Sequence, residues 1–197
     1  MTTTSTNASS PVPRWAEWLM RWPGTLLALF WGFAEGTLFF ILPDVLLSFT
    51  ALFRPRRAIV HMGAMAAGAV LAGAVMFPWS ASGPDARRAV ARVPLVSSVM
   101  FERAGRDFEQ SGIWGVSRGP LRGIPYKVYA VEAPAHFTLW PFLLVTVPAR
   151  LWRLFAVWMG FAAAGALLRK LGRAPLAPAL HALFWIATYA IYWARVR

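Results

Sequence analysis

The chain alternates between long apolar segments and short segments that are rich in arginine, proline and glycine. Three segments, 58–79, 150–171 and 176–194, are predominantly apolar over the ~20 residues that a membrane-spanning helix requires. Two further apolar segments, 24–53 and 112–149, are interrupted by proline, glycine and charged residues. The pattern therefore predicts an all-α polytopic membrane protein with about three full transmembrane helices.

The first interrupted segment, 24–53, does not suit a single transmembrane helix. Such a helix would be roughly 45 Å long, whereas the hydrocarbon core of a bilayer is about 30 Å thick. Pro43 interrupts the segment, and arginines flank both of its ends, which places both ends on the cytoplasmic face. We predict a re-entrant hairpin. The alternative is one span over 24–42, which leaves the arginines of 54–57 outside and violates the charge bias.

The second interrupted segment, 112–149, begins with closely spaced proline and glycine residues, which exclude a plain helix there and predict a second re-entrant hairpin. Between the two halves, residues 85–111 place apolar side chains at helical spacing among charged ones, and predict an amphipathic connector helix on the membrane surface. Two hairpins that enter from opposite faces form an inverted repeat. The extra helix, 176–194, would then end outside at Arg195 and Arg197, which the charge rule disfavours.

The N-terminal residues 1–13 are largely polar and uncharged, and predict a disordered tail. Residues 14–197 then form a single membrane domain. No basic segment directly precedes a short apolar core with a cleavage site, so we expect no cleaved signal peptide.

Composition agrees with a membrane protein. Charged residues make up 14% of the chain, against about 25% in a typical globular domain, and the mean hydropathy is +0.51. Cysteine is absent, which excludes disulfides and thiolate metal sites. The histidines are too scattered to form a metal cluster, so no metal or other cofactor is expected; they are His61, His136 and His181.

The net charge of +12 is concentrated at the ends of the apolar segments. This distribution is the one that encodes membrane topology, so we expect anionic or phosphate-bearing membrane lipids as partners rather than nucleic acid.

The first hairpin carries two acids, Glu35 and Asp44. An ionisable group in apolar membrane sequence is costly and marks a functional site, which is the interpretation we give to Glu35. Whether Glu35 binds a proton or only pairs with a base stays open. Asp44 follows Pro43 and suits capping of a half-helix as well as it suits function.

The second hairpin carries the bases Arg118, Arg122 and Lys127. Arg122 and Lys127 flank Pro125, a spacing that suits capture of phosphate or carboxylate, although both side chains could instead extend to the interface. If both hairpin tips reach the membrane midplane, Glu35 gains Arg122 and Lys127 as partners. We therefore predict a charge pair between the hairpins.

The run Arg118-Gly-Pro-Leu-Arg122-Gly-Ile-Pro125-Tyr-Lys127, followed by Arg150-Leu-Trp-Arg153, resembles the YqaA-like branch of the DedA/VTT-domain (SNARE-associated) membrane proteins. The acid-bearing first hairpin is similar to that of the same family, and the resemblance covers about residues 24–172. It implies a functional set of two acids and two bases: Glu35, Asp44, Arg122 and Lys127. Lys127 stands where the family commonly has arginine.

Two further arginines complete the candidate substrate- or proton-binding set. Arg118 belongs to the resembling motif, and Arg153 lies beside Arg150 at the start of the segment 150–171. The arginines at 150 and 153 also suit a purely topological role.

The resemblance implies a transporter of phospholipid or polyprenyl-phosphate lipid between the leaflets of a bacterial cytoplasmic (inner) membrane, with or without coupling to protons. We expect no enzyme, because neither a Ser-His-acid nor a His-Glu-x-x-His spacing is present. A non-transporting membrane scaffold and an intramembrane enzyme that acts on lipid are the alternatives. A proton-coupled transporter of small solutes differs from the first hypothesis only in its substrate.

Overall fold

The computed structural model describes residues 12–196, and every regular element in that range is a helix. The α-helices are α1 (Trp22–Gly36), α2 (Asp44–Phe53), α3 (Pro55–Ala81), α4 (Asp85–Ala91), α5 (Ser98–Ser111), α6 (Gly119–Arg122), α7 (Tyr126–Glu132), α8 (Leu139–Lys170) and α9 (Ala177–Val196). Short 3-10 helices cover Arg14–Met20, Gly112–Arg118, Ala133–Ala135 and Ala174–Leu176.

The sequence-based predictions for the two chain ends include residues outside the described range. Of the predicted disordered tail, 1–13, only Val12 and Pro13 are described, and Val12 is buried. At the other end, Arg197 and the side chain of Arg195 lie outside the described residues. The proposed position of those two arginines relative to the membrane therefore stays a prediction.

Within residues 12–196, three helical segments are long and apolar enough to cross a membrane: Pro55–Ala81, Leu139–Lys170 and Ala174–Ile191. The prediction of an all-α chain with helices of this kind is confirmed for the described residues, and it indicates a membrane protein.

The first interrupted segment forms two helices, α1 and α2, joined by the non-helical residues 37–43. Pro43 lacks a backbone N–H and has a φ of −67°, which suits the start of α2. The indole N–H of Trp31 donates to the carbonyl of Ile41 at 3.0 Å and satisfies one acceptor of the break. Every residue of α2 except Val45 is buried, so protein surrounds this half of the segment.

Close packing between α1 and α3 depends on glycine. A Cβ at Gly32 would lie 2.3 Å from the carbonyl oxygen of Met65, and one at Gly68 would lie 2.1 Å from that of Leu29. Small residues let helices approach this closely, as expected for helices in a membrane. Gly63, which also lies in α3, has nothing within 4 Å of its Cβ position.

The helix α8 is continuous through residues 149 and 150, where the sequence suggested that the second hairpin ends and a new helix begins. Pro148 lies inside this helix and removes one backbone donor. Val145 and Ala149, on either side of the proline, are buried against the rest of the protein, a setting in which a helix tolerates proline. The last part of the predicted hairpin 112–149 and the predicted span 150–171 are therefore one element.

The predicted connector, 85–111, is divided into α4 and α5 by residues 92–97. Pro94 lies in this interruption. The apolar face of α5 packs against α7, where the rings of Phe108 and Tyr129 meet edge to face with centroids 5.5 Å apart. The α5 part of the connector therefore packs against α7 along its apolar face, and this face is not exposed to solvent.

Candidate functional site

Five charged side chains meet where the break between α1 and α2 faces α7 and α8. Glu35 lies at the end of α1, Asp44 at the start of α2 and Lys127 in α7, while Arg150 and Arg153 share one face of α8. Glu35 and Lys127 are each only 2% exposed. We call these five residues the acid–base cluster: Glu35, Asp44, Lys127, Arg150 and Arg153.

Two ion pairs join the first half of the chain to α8. Nη2 of Arg150 donates to Oε2 of Glu35, and Nη1 of Arg153 donates to Oδ2 of Asp44 at 2.6 Å. The side chains of Arg150 and Glu35 are almost completely shielded from solvent. Removing one partner from such a pair leaves the other charge buried and uncompensated, which is strongly unfavourable.

Lys127 differs from the two arginines because it has no carboxylate within 4.0 Å among the described residues. Its Nζ donates instead to the backbone carbonyl of Phe39, at 2.9 Å, within the break between α1 and α2. The acid–base cluster thus contains three cations and two carboxylates, and carries one formal positive charge in excess.

Several polar atoms of the cluster are buried without a hydrogen-bond partner among the described residues. They are Nε of Arg150, Nε and Nη2 of Arg153, and Oδ1 of Asp44. Three of the four are donors on guanidinium groups. A group that presents acceptor oxygens would satisfy these donors, and each one left unsatisfied destabilises the folded protein.

The aromatic ring of Tyr126 packs against the guanidinium group of Arg150. The guanidinium carbon of Arg150 lies 5.1 Å from the centroid of the Tyr126 ring, a cation–π contact. The Tyr126 hydroxyl is 3.0 Å from Oγ1 of Thr146. Because the Thr146 hydroxyl donates to the carbonyl of Phe142, the tyrosine is the donor. A Cβ at Gly73 would lie 2.4 Å from the tyrosine oxygen, so glycine is needed there.

A cavity of about 340 Å³ borders the acid–base cluster. All members of the cluster except Asp44 line it. The rest of its wall is mainly apolar and comes from α9, from residues 93–96 between α4 and α5, and from the start of the second hairpin. The cavity therefore combines a cationic end with apolar walls.

Arg118 and Arg122 lie in a different group. Nη1 of Arg122 donates to Oδ1 of Asp107, the Tyr129 hydroxyl donates to Oδ2 of the same carboxylate at 2.7 Å, and Nη1 of Arg118 is 3.7 Å from Oδ1. The Asp107 side chain is fully buried, whereas those of Arg118 and Arg122 are 39% and 44% exposed. We call these four residues the connector cluster.

The expected pairing of Glu35 with Arg122 is wrong, because each of these side chains has a different partner. Asp107 approaches Arg122 from α5, and Arg150 approaches Glu35 from α8. The sequence prediction treated residues 85–111 as a surface connector and did not consider Asp107 as a buried acid.

Comparison with known proteins does not assign the chain to a family. No family model, no curated protein and no solved structure matches the chain. What the site can do chemically therefore follows from its own residues.

The structure brings together four of the six predicted site residues: Glu35, Asp44, Lys127 and Arg153. It separates Arg118 and Arg122 from them and adds Arg150, which the sequence placed at the edge of a membrane segment as a topological charge. The spacing of Arg150 and Arg153 contained a usable signal, since residues three apart share a helix face.

Asp107 also left a signal in the sequence. It lies three residues after Ala104, on the same helical face as Phe101 and Phe108, and all four are buried. An acid on the apolar face of an amphipathic helix requires a partner, and the partners are Arg122 and the Tyr129 hydroxyl.

Proposed function

We propose that the chain is a membrane transporter that moves a phosphate-bearing, anionic lipid between the leaflets of a bacterial cytoplasmic membrane. The main observation in favour is the excess positive charge of the acid–base cluster beside an otherwise apolar cavity. The resemblance of the second hairpin to the YqaA-like branch of DedA/VTT-domain proteins points to the same class.

The charge of the cavity favours an anionic ligand. Lys127 is buried with a backbone carbonyl as its acceptor, and the adjacent arginines retain unsatisfied donors. A phosphate group would accept several of these hydrogen bonds and would compensate the extra charge. A neutral ligand would leave a buried cation uncompensated.

The size of the cavity favours a lipid that inserts only its headgroup. Ligand pockets commonly enclose about 300–1,000 Å³, and this one lies near the lower limit at about 340 Å³. A phosphate and its immediate substituents fit that volume, whereas two acyl chains do not. The chains would follow the apolar wall of the cavity, to which α9 contributes Ile191, and continue into the bilayer.

Two re-entrant hairpins in an inverted repeat are part of the proposal. Contact between Lys127 and the carbonyl of Phe39 supports it, because this contact joins the start of the second hairpin to the break in the first. Irregular backbone at membrane depth requires protein or a wet cavity around it, and the buried α2 and the adjacent cavity meet that requirement.

An intramembrane enzyme finds less support. Nε2 of His181 lies 2.9 Å from Oγ of Ser48, which resembles a nucleophile and its base. However, Ser48 is completely buried, accepts the indole N–H of Trp185, and does not line the cavity. This contact fastens α9 to α2 and gives a substrate no access. A non-transporting scaffold would leave the excess charge of the acid–base cluster without a role.

Reconstitution of the purified chain in liposomes tests the proposal. The vesicles carry a fluorescent phosphatidylglycerol, a polyprenyl phosphate or a diacylglycerol without phosphate, each with and without a proton gradient. We expect movement between leaflets for at least one phosphate-bearing lipid, none for the diacylglycerol, and none in protein-free vesicles. Failure to move any phosphate-bearing lipid under either direction of the gradient would contradict the proposal.

A further inference from the structure

A second basic site lies apart from the acid–base cluster, where the chain enters and leaves its first apolar segment. Four arginines line a cleft of about 580 Å³ between the 3-10 helix Arg14–Met20 and the turn that joins α2 to α3. They are Arg14, Arg21, Arg54 and Arg57, and the acid beside them is Glu17. We call this group the N-terminal cleft.

The N-terminal cleft carries a large unneutralised charge. None of the ion pairs among the described residues includes Glu17 or any of the four arginines. Four cations and one carboxylate give the cleft a formal charge of +3. Arginines that only determine membrane topology do not need to lie close together. These four arginines line one concave surface.

One of the four arginines is held in place. Nη2 of Arg57 donates to Oγ1 of Thr25 on α1 at 2.7 Å. Its Nε is shielded and has no hydrogen-bond partner among the described residues. The guanidinium is thus oriented by α1 while it retains a buried donor. Such a pre-oriented fork suits an oxyanion, because an arginine can bind two phosphate oxygens at once.

Tryptophans locate the cleft relative to a bilayer. Trp15, Trp18 and Trp22 lie on the segment that forms one wall, and all three side chains are exposed. Tryptophan settles at the level of the lipid headgroups, where its ring is apolar and its N–H is wet. The cleft that these residues border therefore lies at headgroup depth, where phosphates of anionic lipids are concentrated.

We propose that the N-terminal cleft binds the phosphate headgroup of an anionic phospholipid that stays in one leaflet. The bound lipid holds the 3-10 helix Arg14–Met20 against the turn between α2 and α3. The N-terminal cleft shares no residue with the cavity that borders the acid–base cluster. The inference therefore stands or falls independently of the proposed transport function.

A lipid titration of the purified, detergent-solubilised chain tests this site. Dioctanoyl phosphatidylglycerol is added at constant ionic strength while the thermal unfolding midpoint is followed. Parallel titrations use dioctanoyl phosphatidylcholine and inorganic phosphate. Because a ligand that binds only the folded state raises its stability, we expect a saturable increase with phosphatidylglycerol of about 5 °C. We expect little change with the other two.

The decisive comparison uses two double variants that remove the same charge. Arg21→Gln with Arg54→Gln alters the cleft, and both of these arginines are exposed without a partner among the described residues. Arg56→Gln with Arg92→Gln alters two exposed arginines that do not line it. We expect the apparent dissociation constant for phosphatidylglycerol to rise at least about tenfold in the cleft variant and to stay unchanged in the control.

Three outcomes would overturn the proposal. Equal weakening in both double variants would mean that the arginines act only through general attraction to an anionic surface. An equal effect of inorganic phosphate would mean that the cleft takes free phosphate and not a lipid. An unchanged constant in the cleft variant would mean that the lipid binds elsewhere. Should the cleft variant fail to fold, the single change Arg14→Gln is compared with the single control Arg92→Gln, and a rise of at least about threefold is expected in the former alone.

Discussion

Lys127 is the cation of the acid–base cluster whose nearest acceptor is a backbone carbonyl and not a carboxylate. Arg150 and Arg153 are each held by an acid, and buried pairs of that kind add little net stability when compared with apolar residues of the same size. Their presence in an apolar protein therefore points to a role in function. The charge of Lys127, which no carboxylate compensates, points to a role in function more directly.

Breaking the pair between Glu35 and Arg150 is expected to destabilise the fold. Glu35→Gln leaves the buried Arg150 guanidinium without its counter-ion, a change that costs about 3–5 kcal/mol. The free energy of unfolding in detergent measures the loss. Glu109→Gln makes the same chemical change at an exposed position without an ion pair among the described residues, and serves as the control.

The double variant Glu35→Gln with Arg150→Met separates lost pairing from lost packing. Because it removes both charges, it is expected to recover most of the stability that Glu35→Gln loses. A loss below about 1 kcal/mol in the single variant would show that the Arg150 guanidinium is hydrated or paired elsewhere.

At the scale of elements, proline shows what sequence patterns can and cannot predict. Pro43 and Pro148 both lie in apolar sequence, and Pro43 immediately precedes α2, at the interruption that the sequence predicted. Pro148 instead lies within the continuous helix α8, with Val145 and Ala149 buried on either side of it. Local sequence specifies the missing donor but not the tertiary packing around it, so the boundary at residue 150 was not predictable.

The connector cluster is expected to hold α5 against the second hairpin. Asp107→Asn removes the charge that Arg122 and Tyr129 bind, and should lower the unfolding midpoint and expose α5 to trypsin at Arg103 and Arg106. Limited proteolysis measures this release. Asp85→Asn is the control: its pair with Arg88 is exposed, so cleavage should stay as in the unaltered chain.

Equal protease sensitivity in Asp107→Asn and the unaltered chain would contradict a fastening role for that carboxylate. The packing of α5 would then depend on its apolar face alone, and Phe101 and Phe108 would be the residues that secure it.

The contact between α1 and α3 gives a prediction with an internal control. Gly68→Ala places a methyl group 2.1 Å from the carbonyl oxygen of Leu29 and must separate the two helices, so the unfolding midpoint should fall by several degrees. Gly63→Ala has open space around its Cβ position and should leave the midpoint unchanged or slightly raised. Equal effects of the two substitutions on the unfolding midpoint would contradict this packing.

On the scale of the whole molecule, hydropathy alone predicted the class of fold but not the arrangement of its charges. Runs of apolar residues are local features and revealed the helices of membrane-crossing length. The pairing of Glu35 with Arg150 joins residues 115 apart in sequence, and the burial of Asp107 depends on a neighbouring helix. The sequence contained signals that Arg150 and Asp107 are buried, but a single sequence does not specify which partner each charge meets, which explains why two partners were missed.

Cysteine labelling tests the proposed inverted repeat, and the chain contains no native cysteine to remove. If the first hairpin returns to the cytoplasm, Arg56→Cys is expected to react with an impermeant maleimide only in opened cells. Ser82→Cys, at the far end of α3, is expected to react in intact cells. Reaction of both positions from the same side would contradict a single crossing between them.

Transport by Lys127 variants tests the central claim most directly, namely that the excess cation of the acid–base cluster handles a phosphate-bearing lipid. The measurement is the leaflet-to-leaflet rate of the transported lipid in liposomes that contain equal amounts of folded protein. We predict that Lys127→Gln lowers this rate at least about a hundredfold, because it removes the uncompensated charge. Lys127→Arg should retain much of it, and Lys170→Gln, at an exposed position, should match the unaltered chain. An unchanged rate in folded Lys127→Gln would contradict the claim.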